Sequence, residues 1–218
     1  MPKGRLFRSF DESWSAFLER REPLESFVEE LERDPPPAGD ELAVWLIEPD
    51  EPVASASAEV QSRLPPLHWL RLLPRHYLHV FVGAIGWTHA LDLDDVLGRG
   101  ELALEGADPF AAVLRRLNCF HTAVVAEVAP RKQFIDLRER LLPDCDTESM
   151  LPHMTLAVVT EPAQCDPLRE TLVPLRETEL GSFAVDRVTL CSVPVAQSRV
   201  LEPWNVLGRV GLGVGLGG

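Results

Sequence analysis

The sequence predicts a fold of two similar lobes, each mixing strands and helices, behind a short helical extension. Three observations predict it. Short apolar runs alternate with amphipathic helical segments from about residue 42 onward. Landmark segments of the first half return in the same order in the second. A chain of 218 residues, 45% hydrophobic and 25% charged, has the length and composition of one soluble domain or of two small lobes sharing a core.

The elements follow in order. Within residues 1–34, Phe10, Trp14, Phe17 and Leu18, then Leu24, Phe27, Val28 and Leu31, fall at helical spacing, so two short helices are expected with a break near Pro23. Asp34-Pro-Pro-Pro-Ala-Gly-Asp40 is a breaker and marks the boundary of an extension covering 1–40, which carries no nucleophile pattern and is expected to pack on the body or on a partner. Leu42–Ile47 is continuously apolar and reads as a buried strand. A helix fits 51–63, stopped by Pro65-Pro66, and strands fit 67–72 and 77–83. Residues 84–108 read as loop with one short helix around Leu93–Leu97. Strands then fit 110–116 and 122–128, a helix 131–142, a strand 153–159, a helix 165–178, and strands 183–193 and 203–210. The closing GLGVGLGG lacks the helix that a nucleotide-binding glycine loop requires and reads as a flexible tail.

That order contains a duplication. Ala43-Val-Trp-Leu-Ile-Glu-Pro49 matches Ala123-Val-Val-Ala-Glu-Val-Ala-Pro130, each a strand running into a helix. His79-Val-Phe-Val matches His153-Met-Thr-Leu, and Phe110-Ala-Ala-Val-Leu matches Phe183-Ala-Val-Asp-Arg. Residues 41–218 therefore read as a two-lobed body with repeats near 42–116 and 122–193, related by a pseudo-two-fold axis.

Charge narrows the partners. With 34 acids against 21 bases the net charge is −13, which argues against coating duplex DNA or an anionic membrane, where affinity comes from many cations. A small anionic substrate in a locally basic cleft is compatible with it. No run approaches the roughly 18 apolar residues of a membrane helix and no signal peptide is recognisable, so the cytoplasm is the expected location. Cys119, Cys145, Cys165 and Cys191 form no C-x-x-C pair and read as small buried or half-buried residues, not as zinc or redox motifs.

The chemistry rests on one histidine per lobe. By alternation His79, Phe81 and Gly83 share one face of their strand, and His153, Thr155 and Ala157 share one face of theirs. The opposite faces are apolar, and a pseudo-two-fold axis would set the histidine faces across a cleft. Imidazole titrates near neutrality, so one ring can accept a proton from an attacking oxygen while the other donates to a leaving oxygen. Thr155 is placed to donate to a nonbridging phosphate oxygen as charge builds. This scheme calls for no metal and no cofactor. His68, His76, His89 and His121 fit no such pattern and read as surface or supporting residues. Arg71, Arg75, Arg131 and Lys132 read as loop charges, Trp69, Trp87 and Trp204 as core, and Tyr77 is left open as a residue of the cleft rim.

Those segments resemble the 2H phosphoesterase superfamily, in particular its bacterial 2′-5′ RNA ligase / RNA 2′,3′-cyclic phosphodiesterase family, whose members carry two His-x-Thr/Ser-x motifs. The resemblance runs over about 41–210, through Tyr77-Leu-His-Val-Phe-Val-Gly, Leu151-Pro-His-Met-Thr-Leu-Ala157 and Phe183-Ala-Val-Asp-Arg-Val-Thr-Leu190. It implies an α+β fold of two antiparallel-sheet lobes with outer helices around a central cleft. It implies His79 and His153 as catalytic residues and Thr155 as phosphate-binding. It also implies opening of 2′,3′-cyclic phosphates on RNA ends or nucleotides to 2′-phosphates, with 2′-5′ RNA ligation as a further family activity. His153 is assigned to activate water and His79 to protonate the leaving oxygen, an assignment that the pseudo-symmetry allows to be reversed. Phe81 departs from the pattern, since a phenyl ring cannot donate to phosphate. Three alternatives stand: a slow enzyme, a substitute donor, or a catalytically idle nucleotide- or RNA-binding protein. A base could stack on the ring. Substrate length and oligomeric state are not legible.

Overall fold

The computed structural model describes residues 7–32, 41–147, 150–195 and 201–213. The breaker at 34–40 and the final residues 214–218 lie outside the described residues. The described elements are α1 (Phe10–Glu19), α2 (Phe27–Glu32), β1 (Glu41–Ile47), α3 (Glu51–Ser62), β2 (Leu70–Leu72), β3 (Val80–Trp87), α4 (Leu93–Leu104), β4 (Phe110–Cys119), β5 (Ala123–Ala129), α5 (Arg131–Leu141), β6 (His153–Val159), α6 (Asp166–Leu175), β7 (Glu179–Val185), β8 (Arg187–Pro194) and β9 (Asn205–Gly211). Three of the helices start at a residue that caps them. Ser9, Asp50 and Asp92 cap α1, α3 and α4 by accepting from the backbone N–H three residues on, a group the helix itself leaves unpaired.

All described strand pairs are antiparallel, in the order β7-β4-β5-β6-β3-β1-β8-β9, with β2 on the outer part of β6. The expected α+β class with two antiparallel halves is what the structure has. The halves, β7-β4-β5-β6 and β3-β1-β8-β9, meet at a single pair, Val80 opposite Met154. A seam of one pair leaves the two halves free to diverge on either side of it. The core lies beneath this sheet: Trp45, Val80, Val82, Leu114, Phe134, Met154, Leu156 and Leu168 are all buried. Trp45 packs so closely on α4 that a Cβ at Gly100 would stand 2.9 Å from its ring.

Three expectations change. The 183–193 stretch is two strands, broken at Asp186. The supposed loop at 84–108 holds the end of β3 and a full helix, α4. The third landmark of the duplication fails, because Phe110 and Phe183 begin or lie in strands that pair with each other, with Ala112 opposite Phe183. The strands related by the pseudo-two-fold are β3 and β6, β1 and β5, β8 and β4, β9 and β7. So β4 crosses into the half built by the later sequence, and β8-β9 return to the half built by the earlier one. Repeats cut at 42–116 and 122–193 do not follow that exchange.

The extension packs on the body. Phe17 and Leu24 are buried, Leu24 bridges to Ala163, and Ser26 Oγ donates to the Thr160 carbonyl at 2.7 Å. No helix among the described residues is long and apolar enough to cross a membrane.

Candidate active site

His79 and His153 stand at equivalent places at the head of the two central strands. Val80 and Met154, the next residue in each, face each other across the seam and are fully buried. Continued by one residue on each side, that register sets His79 opposite Thr155 and Phe81 opposite His153. The two histidines are then diagonal neighbours, for which sheet geometry gives a separation of roughly 7 Å.

Alternation holds for only two residues in each motif. Trp45 pairs with Gly83 but Leu46 with Phe81, leaving Val82 as an extra residue. Val124 pairs with Ala157 but Val125 with Thr155, leaving Leu156 as an extra residue. Both strands thus bulge at the third residue after the histidine, and a bulge turns the following side chains to the other face. A Cβ on Gly83 would collide with the Leu142 side chain, so Gly83 faces the helices and not the histidine side. The histidine face is His79 and Phe81 from one half, His153 and Thr155 from the other.

Both rings are held alike. His79 Nδ1 lies 2.8 Å from the Tyr77 carbonyl, and His153 Nδ1 lies 2.7 Å from the Leu151 carbonyl. A carbonyl only accepts, so each Nδ1 carries the proton and each Nε2 is left for a ligand. Aromatic edges fix the ring planes. Trp204 meets His79 at 5.0 Å and 88°, and Phe120 meets His153 at 4.9 Å and 80°. Tyr77 also packs edge-on to His79 and tilts on Trp204.

Burial dominates the electrostatics. Desolvation pulls His79 down to about 4; the charge of His153 pushes the same way, while the Tyr77 carbonyl and Glu48 oppose it. Desolvation also lowers His153, against the Leu151 carbonyl. A charge on His153 disfavours a charge on His79, so the pair resists becoming doubly charged. In the free protein both rings are neutral at pH 7, and an arriving phosphate supplies the negative charge that lets one become protonated.

A stability consequence follows with a definite sign. An unfolded histidine titrates near 6.5, so below that pH the unfolded chain binds protons that folded His79 refuses until about 4. Stability is therefore lost as pH falls through this window. Urea midpoints between pH 7.5 and 4.5 should decline less steeply for His79→Gln than for wild type; equal slopes would remove burial of a neutral His79 as a cause.

Sequence reasoning missed two carboxylates and two rings. Glu127 is the Cα partner of His153 on β5, and β1 places Glu48 one residue past Ile47, which is opposite Val80. Each histidine thus has a glutamate beside it on the neighbouring strand. The signal was present in the two matched segments, which both carry a glutamate near their closing proline. Glu48 accepts from Thr189 Oγ1 at 3.1 Å and pairs with Arg209 at 3.4 Å. Glu127 is buried and meets Arg176 at 2.5 Å and Asn118 Nδ2 at 2.9 Å. Trp204 packs on the small core cluster of Val44, Leu46 and Cys191, as its reading as core expects, and in addition braces the His79 ring. Phe120 had no sequence signal, because it lies outside any motif.

Several of the remaining sequence candidates are engaged by other groups. Arg75 pairs with Glu51, Lys132 with Asp136, and Arg131 donates to the Met150 and Arg8 carbonyls. His121 meets Arg20 and stacks on Phe7. Cys119, Cys165 and Cys191 are buried free thiols, Cys145 is half-buried, and burial raises Cys119 and Cys191 above the ordinary thiol range. Among the described residues no three His, Cys, Asp or Glu side chains gather as a cation cage.

Known proteins share this architecture. A sequence model described as the 2′-5′ RNA ligase superfamily matches residues 49–193. TT0787 of Thermus thermophilus superposes with a TM-score of 0.56 at 20% identity, covering 79% of this chain and 98% of that one. E. coli LigT complexed with 3′-AMP superposes with a TM-score of 0.59 at 15% identity, over 79% and 98% of the two chains. A structure described as a phosphoesterase gives a TM-score of 0.59 at 16% identity, with coverage of 79% and 98%. LigT has also been solved with NADP+, with phosphate and with ATP. A search of the curated proteins finds no match.

Proposed function

The chain belongs to the 2′-5′ RNA ligase superfamily, and on that premise we propose that it opens 2′,3′-cyclic phosphates on RNA ends or nucleotides to 2′-phosphates without a metal ion. The observation that carries this reading is the matched pair of imidazoles. Each Nδ1 is tied to the carbonyl two residues back, and the residues that follow the two histidines pair with each other across the seam.

In the proposed reaction the cyclic phosphate lies between the two Nε2 atoms. One ring takes a proton from water as its oxygen bonds to phosphorus. The P–O3′ bond breaks, and the other ring gives its proton to O3′. Thr155 Oγ1 donates to a nonbridging oxygen. His153 as base and His79 as acid is the assignment carried from the sequence, and the coupled pair serves equally with the roles exchanged. Small nucleotides suit the site, in keeping with the 3′-AMP, ATP and NADP+ complexes of LigT. An intracellular RNA end in the cytoplasm is the proposed natural setting. The test is turnover of cyclic mononucleotides and cyclic-phosphate oligonucleotides in EDTA. Conversion to 2′-phosphates is expected; absence of turnover on every such substrate overturns the reading.

One observation favours a second reading, a slow or idle nucleotide-binding protein. Phe81 is 37% exposed on the histidine face, where the pseudo-two-fold requires the counterpart of Thr155. Losing one donor to a developing oxyanion costs about 3 kcal/mol. Phe81→Thr is expected to raise kcat tenfold or more, with a higher KM from the lost stacking surface. A fall in kcat instead makes the phenyl ring part of the working site.

A further inference from the structure

The extension does more than pack on the body. It occupies the inward face of the half that carries His153. Glu127 is directly opposite His153 in the sheet, so its side chain lies on the histidine face. On that face Glu127 is joined by Asn118 and Arg176. Helix α1 lies on those same groups. The fully buried Ser13 donates to Asn118 Oδ1 at 3.3 Å, and Asn118 Nδ2 donates to the Phe10 carbonyl at 3.0 Å. The Trp14 ring covers the Arg176 guanidinium at 4.6 Å, and Asp11 pairs with Arg116 at 3.3 Å. Beside them the ring that braces His153, Phe120, is itself backed by Phe10 at 6.4 Å and Phe7 at 6.3 Å.

The groups under α1 are those that hold nucleic acid where they are free: two guanidiniums and an amide. Here a carboxylate and an indole of the chain's own extension take the places of a phosphate and a base. Among the described residues no helix lies over the histidine face of the other half in this way. Among the described residues, Phe81 is 37% exposed and the Glu48 side chain 39% exposed beside His79.

Resting on the proposed phosphoesterase reading, we infer that α1 closes one wing of the cleft and restricts the substrate to phosphates with a nucleotide on one side only. A 2′,3′-cyclic phosphate at an RNA 3′ end meets that requirement, because the chain continues in one direction and water supplies the other partner. A 2′-5′ phosphodiester does not. Its phosphorus carries nucleosides on both sides. Its cleavage forms the O3′–P bond and breaks P–O5′, with the O3′ proton passing to one histidine and the other protonating O5′. The same crowding excludes the reverse reaction, in which a second RNA end brings its 5′-hydroxyl. The extension thereby selects hydrolysis over joining.

The test compares a cyclic mononucleotide, an oligonucleotide ending in a cyclic phosphate, and a 2′-5′-linked dinucleotide, using the full chain. Wild type is expected to act on the first two and at least 100-fold less on the third. Trp14→Ser/Phe17→Ser removes two anchors of α1, and its release is read by trypsin cleavage at Arg20 or Arg21. This variant should keep its rate on cyclic phosphates within threefold and gain tenfold or more on the dinucleotide. If it loses both activities, the milder Trp14→Ala decides by the same ratio. Equal wild-type rates on one-sided and two-sided substrates overturn the inference and leave the enzyme assignment standing. So does an unchanged ratio in the released variant. Inactivity on all three substrates overturns the enzyme assignment, and the restriction falls with it.

Discussion

His79→Ala and His153→Ala are each expected to lower kcat on a 2′,3′-cyclic nucleotide by about 10²–10⁴-fold, the range that one positioned general acid or base contributes. The double variant should fall little below the worse single one, because the two rings act on one proton inventory and removing either interrupts it. EDTA should leave wild type unaffected. Folding is not at risk to the same degree, since the residues that lock the seam are Val80 and Met154, both of which remain. A near-UV spectrum like that of wild type is the control. Either single variant retaining more than a tenth of wild-type turnover would remove its histidine from the chemistry. The pH profile gives a second readout. Burial lowers both rings, so the profile of kcat/KM should centre on the acid side of 6.5.

Arg176→Met is expected to produce the largest loss of stability. The guanidinium is buried to the same degree as its partner, with side chains 7% and 8% exposed, and it meets Glu127 at 2.5 Å. It also donates to the Leu117 carbonyl and lies under Trp14. Removing it strands a buried carboxylate with Asn118 and the more distant Arg116 at 3.9 Å. Breaking one side of such a pair costs about 3–5 kcal/mol, which in a chain of this size lowers Tm by on the order of 10 °C. Arg176→Met/Glu127→Leu should recover much of that loss, because the uncompensated charge is gone. A fall of less than about 3 °C in the single variant would show that water reaches Glu127 and satisfies it.

The legible parts of the site were those written in short, local patterns. A His-x-Thr at the start of an apolar strand announces its own face, and His153 and Thr155 enter the proposed site on that signal. His79 enters it through the repeat, despite Phe81. Beyond two residues the alternation failed at both strands, because the bulges at Val82 and Leu156 are set by partner strands whose register has no local signature. Glu127 and Arg176 are 49 residues apart by their numbering and meet through the pairing of β4 with β5 and the turn after α6. Neither residue has any pattern of its own. Trp204 and Phe120 illustrate the same limit: an aromatic residue in a sequence does not state whether it fills a core or braces an imidazole.

By itself the sequence determined the class of fold and placed the two histidines at the start of apolar strands, with a hydroxyl on the same face of the second. These depend on periodicity, which acts within a few residues. Tertiary structure decided which strands make up each half, because β4 and β8-β9 exchange sides through pairings distant in sequence. It also decided what the first residues do. Their helical spacing showed an apolar face, but only the folded chain shows that this face closes over Asn118, Arg176 and Phe120, beside His153. Long-range packing makes that choice, since the same amphipathic pattern would serve as well on the outer surface or on another molecule.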